Sequence, residues 1–317
     1  MLTIVIFTNS RYQYLLPLLE DIKSSNTNIK IWVVDYGKSP DKNIYKSIKK
    51  KNIKIIFDKK SSKYIDHTRN FTNRYYKYIQ LIKTKYLWFI GDDDRIDKEY
   101  FQELIKFLRY QDYSGFTLSY VSFREENFVK KVEYSKNRIR EKNINLLNDI
   151  HHLGMISTQI INTNCFRKIK NNLDKKILLN HGYPQIYIIL EIIKKFKDWK
   201  KISNVVVYYR IGGIIKIKNE ILKRLNQEFR GYLIPLKQKY YLDIYKKLFK
   251  RIFIKNILSW ILFSIEICGK RSTYKILKNN NKLSPFILSI FIIKILILVT
   301  PYVLINSMKK IKRIFNF

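Results

Sequence analysis

Leu87-Trp88-Phe89-Ile90-Gly91-Asp92-Asp93-Asp94 sets an unbroken apolar run directly against three consecutive carboxylates. Such a run reads as a strand covered on both faces of a sheet, and its abrupt end marks the sheet's carboxyl edge. Like charges this close raise one another's pKa values, so the triplet calls for a cation. The carboxyl ends of parallel strands are where α/β sheets place ligands. Hard oxygen donors there suit Mg2+ or Mn2+, ions that in turn bridge a diphosphate. The bland alternative is a solvated acidic turn in front of the helix that begins near Asp97, since carboxylates at helix N-termini are ordinary.

Upstream, the same strand, loop and helix grammar repeats. Leu2 to Phe7 is an apolar run ending at Thr8-Asn9-Ser10, and Leu15 to Ile22 carries apolar residues at helical spacing. Ile29 to Val34 is a second buried strand that stops at Asp35-Tyr36-Gly37, with a short helix behind it near Ile44 to Ile48. Ile53 to Phe57 gives a third strand, and Asp66 can cap a helix running to about Ile82. Alternating strands and helices with apolar strands predict an α/β domain with a mainly parallel sheet flanked by helices. Downstream come a helix over about 98–110, a half-exposed strand over Gly115 to Ser122, a polar stretch over 129–148, a helix over Tyr183 to Phe196 and a strand over Val205 to Tyr209 with Arg210 at its end.

The order strand-Thr8, strand-Asp35, Arg69-Asn70 and apolar strand with acidic cluster resembles the nucleotide-binding half of family 2 glycosyltransferases, and covers about the first 125 residues. The resemblance implies a GT-A (Rossmann-like) domain over 1–218, with 1–125 holding the nucleotide-sugar and 126–218 facing the acceptor. It places the donor's base and ribose on Thr8, Asn9, Arg11 and Asp35, and puts Arg69 near the donor. The family's Asp-x-Asp-Asp reads here as Gly91-Asp92-Asp93-Asp94, with the first position replaced. In that register Asp93 is the direct metal ligand, while Asp92 and Asp94 touch ribose, metal-bound water or donor sugar; Asp94 is the second candidate ligand. Arg210, after Tyr208-Tyr209, resembles a late Tyr-Arg element near the donor phosphates, although the His that commonly follows is missing. Ser157-Thr158-Gln159 resembles an acceptor-facing strand, and Pro184-Gln185 resembles the abequosyltransferase-like branch of the family.

The implied chemistry is inverting transfer from a nucleoside-diphosphate sugar. In the family the general base is usually the Asp of a Glu-Asp pair at a helix start. The equivalent stretch, Asn180-His181-Gly182-Tyr183-Pro184-Gln185, has no such pair. His181 is the candidate base, since imidazole accepts a proton near neutral pH; Asp174, His151 and His152 are the other candidates. The missing pair keeps open a catalytically impaired relative that serves as a partner in glycan assembly. A sugar nucleotidyltransferase is disfavoured because the loop Thr8 to Gln13 contains no glycine.

The net charge of +37, from 62 Lys and Arg against 25 Asp and Glu, attracts polyanions. Those bases are spread along the chain rather than gathered on one arm, which argues against specific nucleic-acid binding. Residues 219–317 read as a helical, basic, membrane-associating region. Its segments 252–268 and 286–305 are nearly apolar, and Lys309-Lys310-Ile311-Lys312-Arg313 supplies a polybasic flank suited to an anionic membrane surface. Cys165 and Cys268 lie too far apart in sequence for a zinc or redox motif, and the short apolar N-terminus reads as a strand rather than a signal peptide. The expected setting is the cytoplasmic face of the inner membrane, with a lipid-linked saccharide as acceptor.

Overall fold

The computed structural model describes residues 1–23, 29–48, 50–58, 67–123, 139–180, 183–210 and several positions between 261 and 275. The chain divides into two compact units, Met1–Lys175 with Gln185–Gly212, and Lys176–Pro184 with Gly213–Phe317.

The first unit opens with β1 (Leu2–Thr8), buried along its whole length. It continues through α1 (Tyr12–Lys23), β2 (Lys30–Asp35), α2 (Lys42–Ile48), β3 (Ile53–Phe57), α3 (His67–Leu81) and β4 (Tyr86–Gly91). β1 lies between β2 and β4, parallel to both, and β3 extends the sheet beyond β2. The register sets Thr8 beside Asp35 and Phe7 beside Gly91. Three strand ends therefore finish at one level, which brings residues far apart in sequence to one edge.

Next come β5 (Arg95–Ile96), α4 (Lys98–Arg109), β6 (Gly115–Phe123), β7 (Glu141–Asn143) and α5 (Leu146–Leu153). A 3-10 turn at Ile156–Thr158 leads into β8 (Gln159–Asn162) and α6 (Thr163–Ile169). α7 (Lys175–Asn180) and α8 (Pro184–Phe196) precede β9 (Lys200–Arg210). Among the described residues the sheet runs β3-β2-β1-β4-β8-β6-β9-β5, with β7 on β9.

The expectation of a mainly parallel sheet holds only up to β4. Beyond it β8 is antiparallel to β4 and β6, β9 is antiparallel to β5 and β7, and only β6 with β9 is parallel. Parallel pairing needs a crossover between strands, and α1, α2 and α3 supply the three that join β1 to β4; β8 follows a 3-10 turn and enters the sheet against the direction of its neighbours. Ser157 and Thr158, expected on a strand, lie in that turn, and the strand starts at Gln159.

The core packs one sheet face, through Ile4, Ile6, Val33, Trp88 and Ile90, against Leu15, Leu18 and Leu19 of α1 and Phe101, Leu104 and Leu108 of α4. Asp97 is the N-cap of α4, its carboxylate accepting from the N–H groups of Glu99 and Tyr100 at 3.0 Å each. The capping carboxylate is thus Asp97, and the triplet three residues earlier is left for another task. Asp21 of α1 is buried and takes two bonds from Arg95, at 2.5 and 2.8 Å, which ties α1 to β5.

Among the described residues no helix is long and apolar enough to cross a membrane. Segments 252–268 and 286–305 fall outside the described residues except for a few positions of the first.

Candidate functional site

The end of β4 and the loop after β1 meet around the three aspartates. Asp92 is fully buried, and Asp94 is 2% exposed. Asp93 is the accessible member, its side chain 31% exposed. This is not a solvated turn.

Arg11, on the loop between β1 and α1, neutralises the first two. Its guanidinium engages both oxygens of Asp92, with the Nε bond at 3.1 Å, and reaches Asp93 Oδ2 at 3.2 Å. Thr8 Oγ1 accepts from the Arg11 N–H at 3.2 Å, which helps to start α1, and its hydroxyl is also bonded to Asp92. Burial raises the Asp92 pKa while the Arg11 contact pulls it down; the net direction is up. Burial likewise opposes the charge on Arg11, but Asp92 and Asp93 outweigh it and its pKa is raised.

Asp94 is held by a different set. The Ser157 hydroxyl donates to Asp94 Oδ2 and accepts from the Gly91 N–H at 2.8 Å, and the Arg210 N–H donates to Asp94 Oδ1 at 3.0 Å. Trp88 Nε1 holds the Ser157 carbonyl at 2.8 Å, so the 3-10 turn is pinned to β4 through both the carbonyl and the hydroxyl of this serine. Arg210 Nε also bonds the Asp93 carbonyl at 2.9 Å, and its guanidinium lies over the rings of Tyr14 and Phe123 at 4.5 and 4.9 Å. Gly91 leaves room for this crowding, because a Cβ there would sit 3.1 Å from Asp93 Oδ1 and 3.3 Å from Asp94 Oδ2.

Burial above all, with the charges of Asp93 and Asp92 adding to it, pushes the Asp94 carboxyl up to about 7, against the pull of the Ser157 and Arg210 bonds. The folded pKa lies above that of the unfolded chain, so the native state holds the extra proton between the two values. The stability from protonated Asp94 is complete below the unfolded pKa of about 4 and is lost as pH rises through about 7. In a chelating buffer, the melting temperature of the unsubstituted protein should therefore fall relative to that of Asp94→Asn between about pH 5 and about pH 8. A difference that stays constant with pH would contradict this assignment.

Asp35, across from Thr8, is buried and saturated. Its Oδ1 accepts from the N–H groups of Ser10 and Gly37 at 3.0 and 2.7 Å, and its Oδ2 from the hydroxyls of Ser10 and Tyr45 at 2.9 and 2.6 Å. These bonds hold Ser10 at φ 57°, a left-handed conformation that a serine adopts only when its surroundings enforce it. Gly37 is required by close approach instead, since a Cβ there would meet Ser10 Oγ at 2.0 Å. Asp35 in this state shapes the loop that carries Arg11.

Of the residues singled out from the sequence, Thr8, Arg11, Asp92, Asp93, Asp94 and Arg210 form one bonded network, and Asp35 forms an adjoining one. Asn9 is exposed. The backbone of Arg69 lies in the first turn of α3, but its side chain and all of His181 lie outside the described residues, as does the side chain of His151. Asp174 is exposed, and His152 packs edge-on against Tyr120 with ring centroids 5.1 Å apart. Sequence reasoning missed two contributors at the same edge. Tyr36 follows Asp35 directly, and its phenol pKa is raised by burial and by the charge of Asp92. Arg74 lies over the Tyr36 ring at 4.0 Å and is itself buried. Its position four residues after Asn70, on the same helix face, was the available signal. The role of Ser157 as organiser carried no local signal, because its partners are more than sixty residues away.

Among the described residues no group of three or more His, Cys, Asp and Glu side chains is disposed to hold a metal ion. Mg2+-like cations are commonly held by one or two carboxylates together with phosphate oxygens rather than by an all-protein cage. The accessible oxygens of Asp93 and the nearby Asp94 fit such a shared ion.

The fold has counterparts among solved structures. The structure of S. aureus TarS 1-349 aligns with a TM-score of 0.57 at 15% identity, covering 90% of this chain and 81% of that one. The same protein in complex with UDP-GlcNAc aligns with a TM-score of 0.58 at 14% identity and the same coverage. The mannosyltransferase PcManGT from Pyrobaculum calidifontis, solved with GDP-Man and Mn2+, aligns with a TM-score of 0.51 at 9% identity, covering 99% of this chain and 87% of that one. No curated protein sequence matches the chain significantly. The family model described as Glycosyl transferase family 2 matches residues 3–165, just over half of the chain, from β1 through the acidic cluster to the start of α6. The sheet edge that carries the acidic cluster lies within that match, and the chain belongs to glycosyl transferase family 2.

Proposed function

We propose that this glycosyltransferase moves a hexose or deoxyhexose, with inversion and with help from Mn2+ or Mg2+, from a nucleoside-diphosphate sugar to a lipid-linked saccharide of a bacterial surface glycan. The observation that carries the reading is the buried acidic cluster at the end of β4, with Arg11 and Arg210 bonded to it. Asp93 and Asp94 are the residues that would hold the metal, and a bound metal supplies neutralisation of the departing diphosphate, the charge that most raises the barrier to transfer. Arg11, Arg210 and Arg74 add positive charge at the same edge. Thr8 and Asp35 shape the floor against which base and ribose lie in this reading, and the family resemblance assigns Asn9 and Arg69 to the donor as well.

His181, at the stretch where the family places its base, accepts the proton from the acceptor hydroxyl in this reading, with Asp174, His151 and His152 as alternatives. The absent Glu-Asp pair favours one second reading, a catalytically impaired partner in a glycan-assembly complex. A place near the abequosyltransferase-like branch rests on Pro184-Gln185 alone. The charge of +37 and the basic C-terminal flank support residence on the cytoplasmic face of the membrane, where lipid-linked acceptors are met.

Thermal denaturation of the full chain in detergent against a panel of nucleotide sugars, each with Mn2+, tests the reading, because only a ligand of the folded state raises the transition. One or two members of the panel should raise it, with release of nucleoside diphosphate when acceptor is present. A panel that leaves the transition unmoved would overturn the proposal, and binding without any turnover would favour the impaired partner.

A further inference from the structure

We propose that Arg11 is the resident counter-cation of the acidic cluster: it must leave Asp93 for a divalent metal to bind, and a donor diphosphate draws it away. Metal binding is then coupled to donor binding by a protein side chain as well as by direct phosphate ligation. This rests on the nucleotide-sugar reading above.

Arg11 touches Asp92 through both oxygens and Asp93 through one, so the protein itself supplies the cluster with a cation. The two contacts differ in kind. Asp92 is fully buried and also bonded to Thr8, so it retains a partner when the rigid guanidinium fork lifts from both carboxylates. Asp93 is 31% exposed at its side chain, and its contact at 3.2 Å is the outermost of the fork. The Arg11 side chain is itself 41% exposed, so its outer end can turn toward solvent without unpacking a core. A dication approaching Asp93 meets that guanidinium first, and like charges within a few ångströms disfavour both. A diphosphate reverses the balance, since guanidinium pairs with phosphate oxygens at least as well as with carboxylate. Asp94 does not share this fate, because its partners are the Ser157 hydroxyl and a backbone N–H, which carry no net charge to repel a metal.

The test is Mn2+ binding to the full chain, followed by the electron paramagnetic resonance of free Mn2+, with and without UDP or GDP and with no sugar transfer involved. The unsubstituted protein should bind Mn2+ weakly alone and much more tightly with the matching nucleotide. Arg11→Gln should bind Mn2+ alone about ten-fold more tightly, as expected for removing one adjacent positive charge, and should gain less from the nucleotide. Arg11→Lys keeps the charge but not the fork and should fall between the two; it serves if the Gln variant does not fold. Mn2+ affinity that is unchanged or weaker in both variants, while the unsubstituted protein still binds Mn2+ with nucleotide, would overturn the role of Arg11 and leave the metal reading standing. No Mn2+ binding by any variant under any condition would overturn both.

Discussion

Asp93→Asn is expected to reduce Mn2+-dependent turnover of the nucleotide-sugar donor by about a thousand-fold, the loss of several kcal/mol of charge stabilisation, while the melting temperature barely moves. The two halves of this expectation come from the same geometry. Asp93 is the member of the triplet that reaches solvent, and its carboxylate bonds one outer nitrogen of Arg11. Little of the fold depends on that bond, because exposed pairs contribute about 1 kcal/mol or less. Asp92 and Asp94 behave differently: each is buried within a set of directed bonds, so their replacement disturbs the loop after β1 or the Ser157 turn along with any ligand. Measuring released nucleoside diphosphate beside a thermal melt separates the cases. Turnover within about three-fold of the unsubstituted protein would remove Asp93 from the site, since that ratio is under 1 kcal/mol.

Gly115→Ala is the second large effect, and it acts on stability. A Cβ on Gly115 would lie 2.3 and 2.5 Å from two atoms of the Trp199 ring and 2.6 Å from the carbonyl oxygen of Ile160. Neither can give way cheaply. Trp199 is 2% exposed and its Nε1 donates to Thr117 Oγ1 at 2.9 Å, while Ile160 belongs to β8 in register with Phe116. Overpacking a rigid core typically costs 1–3 kcal/mol and this contact is severe, so about 3 kcal/mol is expected, roughly a 10 °C fall in melting temperature for a domain of this size. The damage should spread toward the site, because Thr117 also bonds Gln159, which follows the turn that carries Ser157. A fall of less than about 2 °C would show that the sheet relaxes around the methyl group.

The first half of the fold was legible because local pattern and tertiary role coincide there. Each of β1 to β4 is an apolar run, and β1, β2 and β4 end at or beside a polar residue of the site, Thr8, Asp35 and Asp92. The second half was not, since β5 is two residues long and β8 four, too short to carry a period, and their partners are chosen by long-range register. The acidic triplet could be read because three adjacent carboxylates after a buried strand are costly in any context. The bonds that sort it into two buried members and one accessible member could not. They come from Arg11, eighty-one residues before Asp92, and from Ser157 and Arg210 far downstream. Arg11 bonds the aspartates and Asp35 bonds Ser10, pairings that no local pattern announces.

The account stands on the triplet's holding a cation against a diphosphate. Anomalous scattering at the manganese edge, from crystals of the full chain grown with Mn2+ and the nucleoside diphosphate that stabilises it most, measures this directly. The predicted result is one peak within coordination distance of Asp93, with Arg11 turned from that carboxylate toward phosphate. An occupied nucleotide with no manganese at the cluster, and Arg11 still on Asp92 and Asp93, would contradict it.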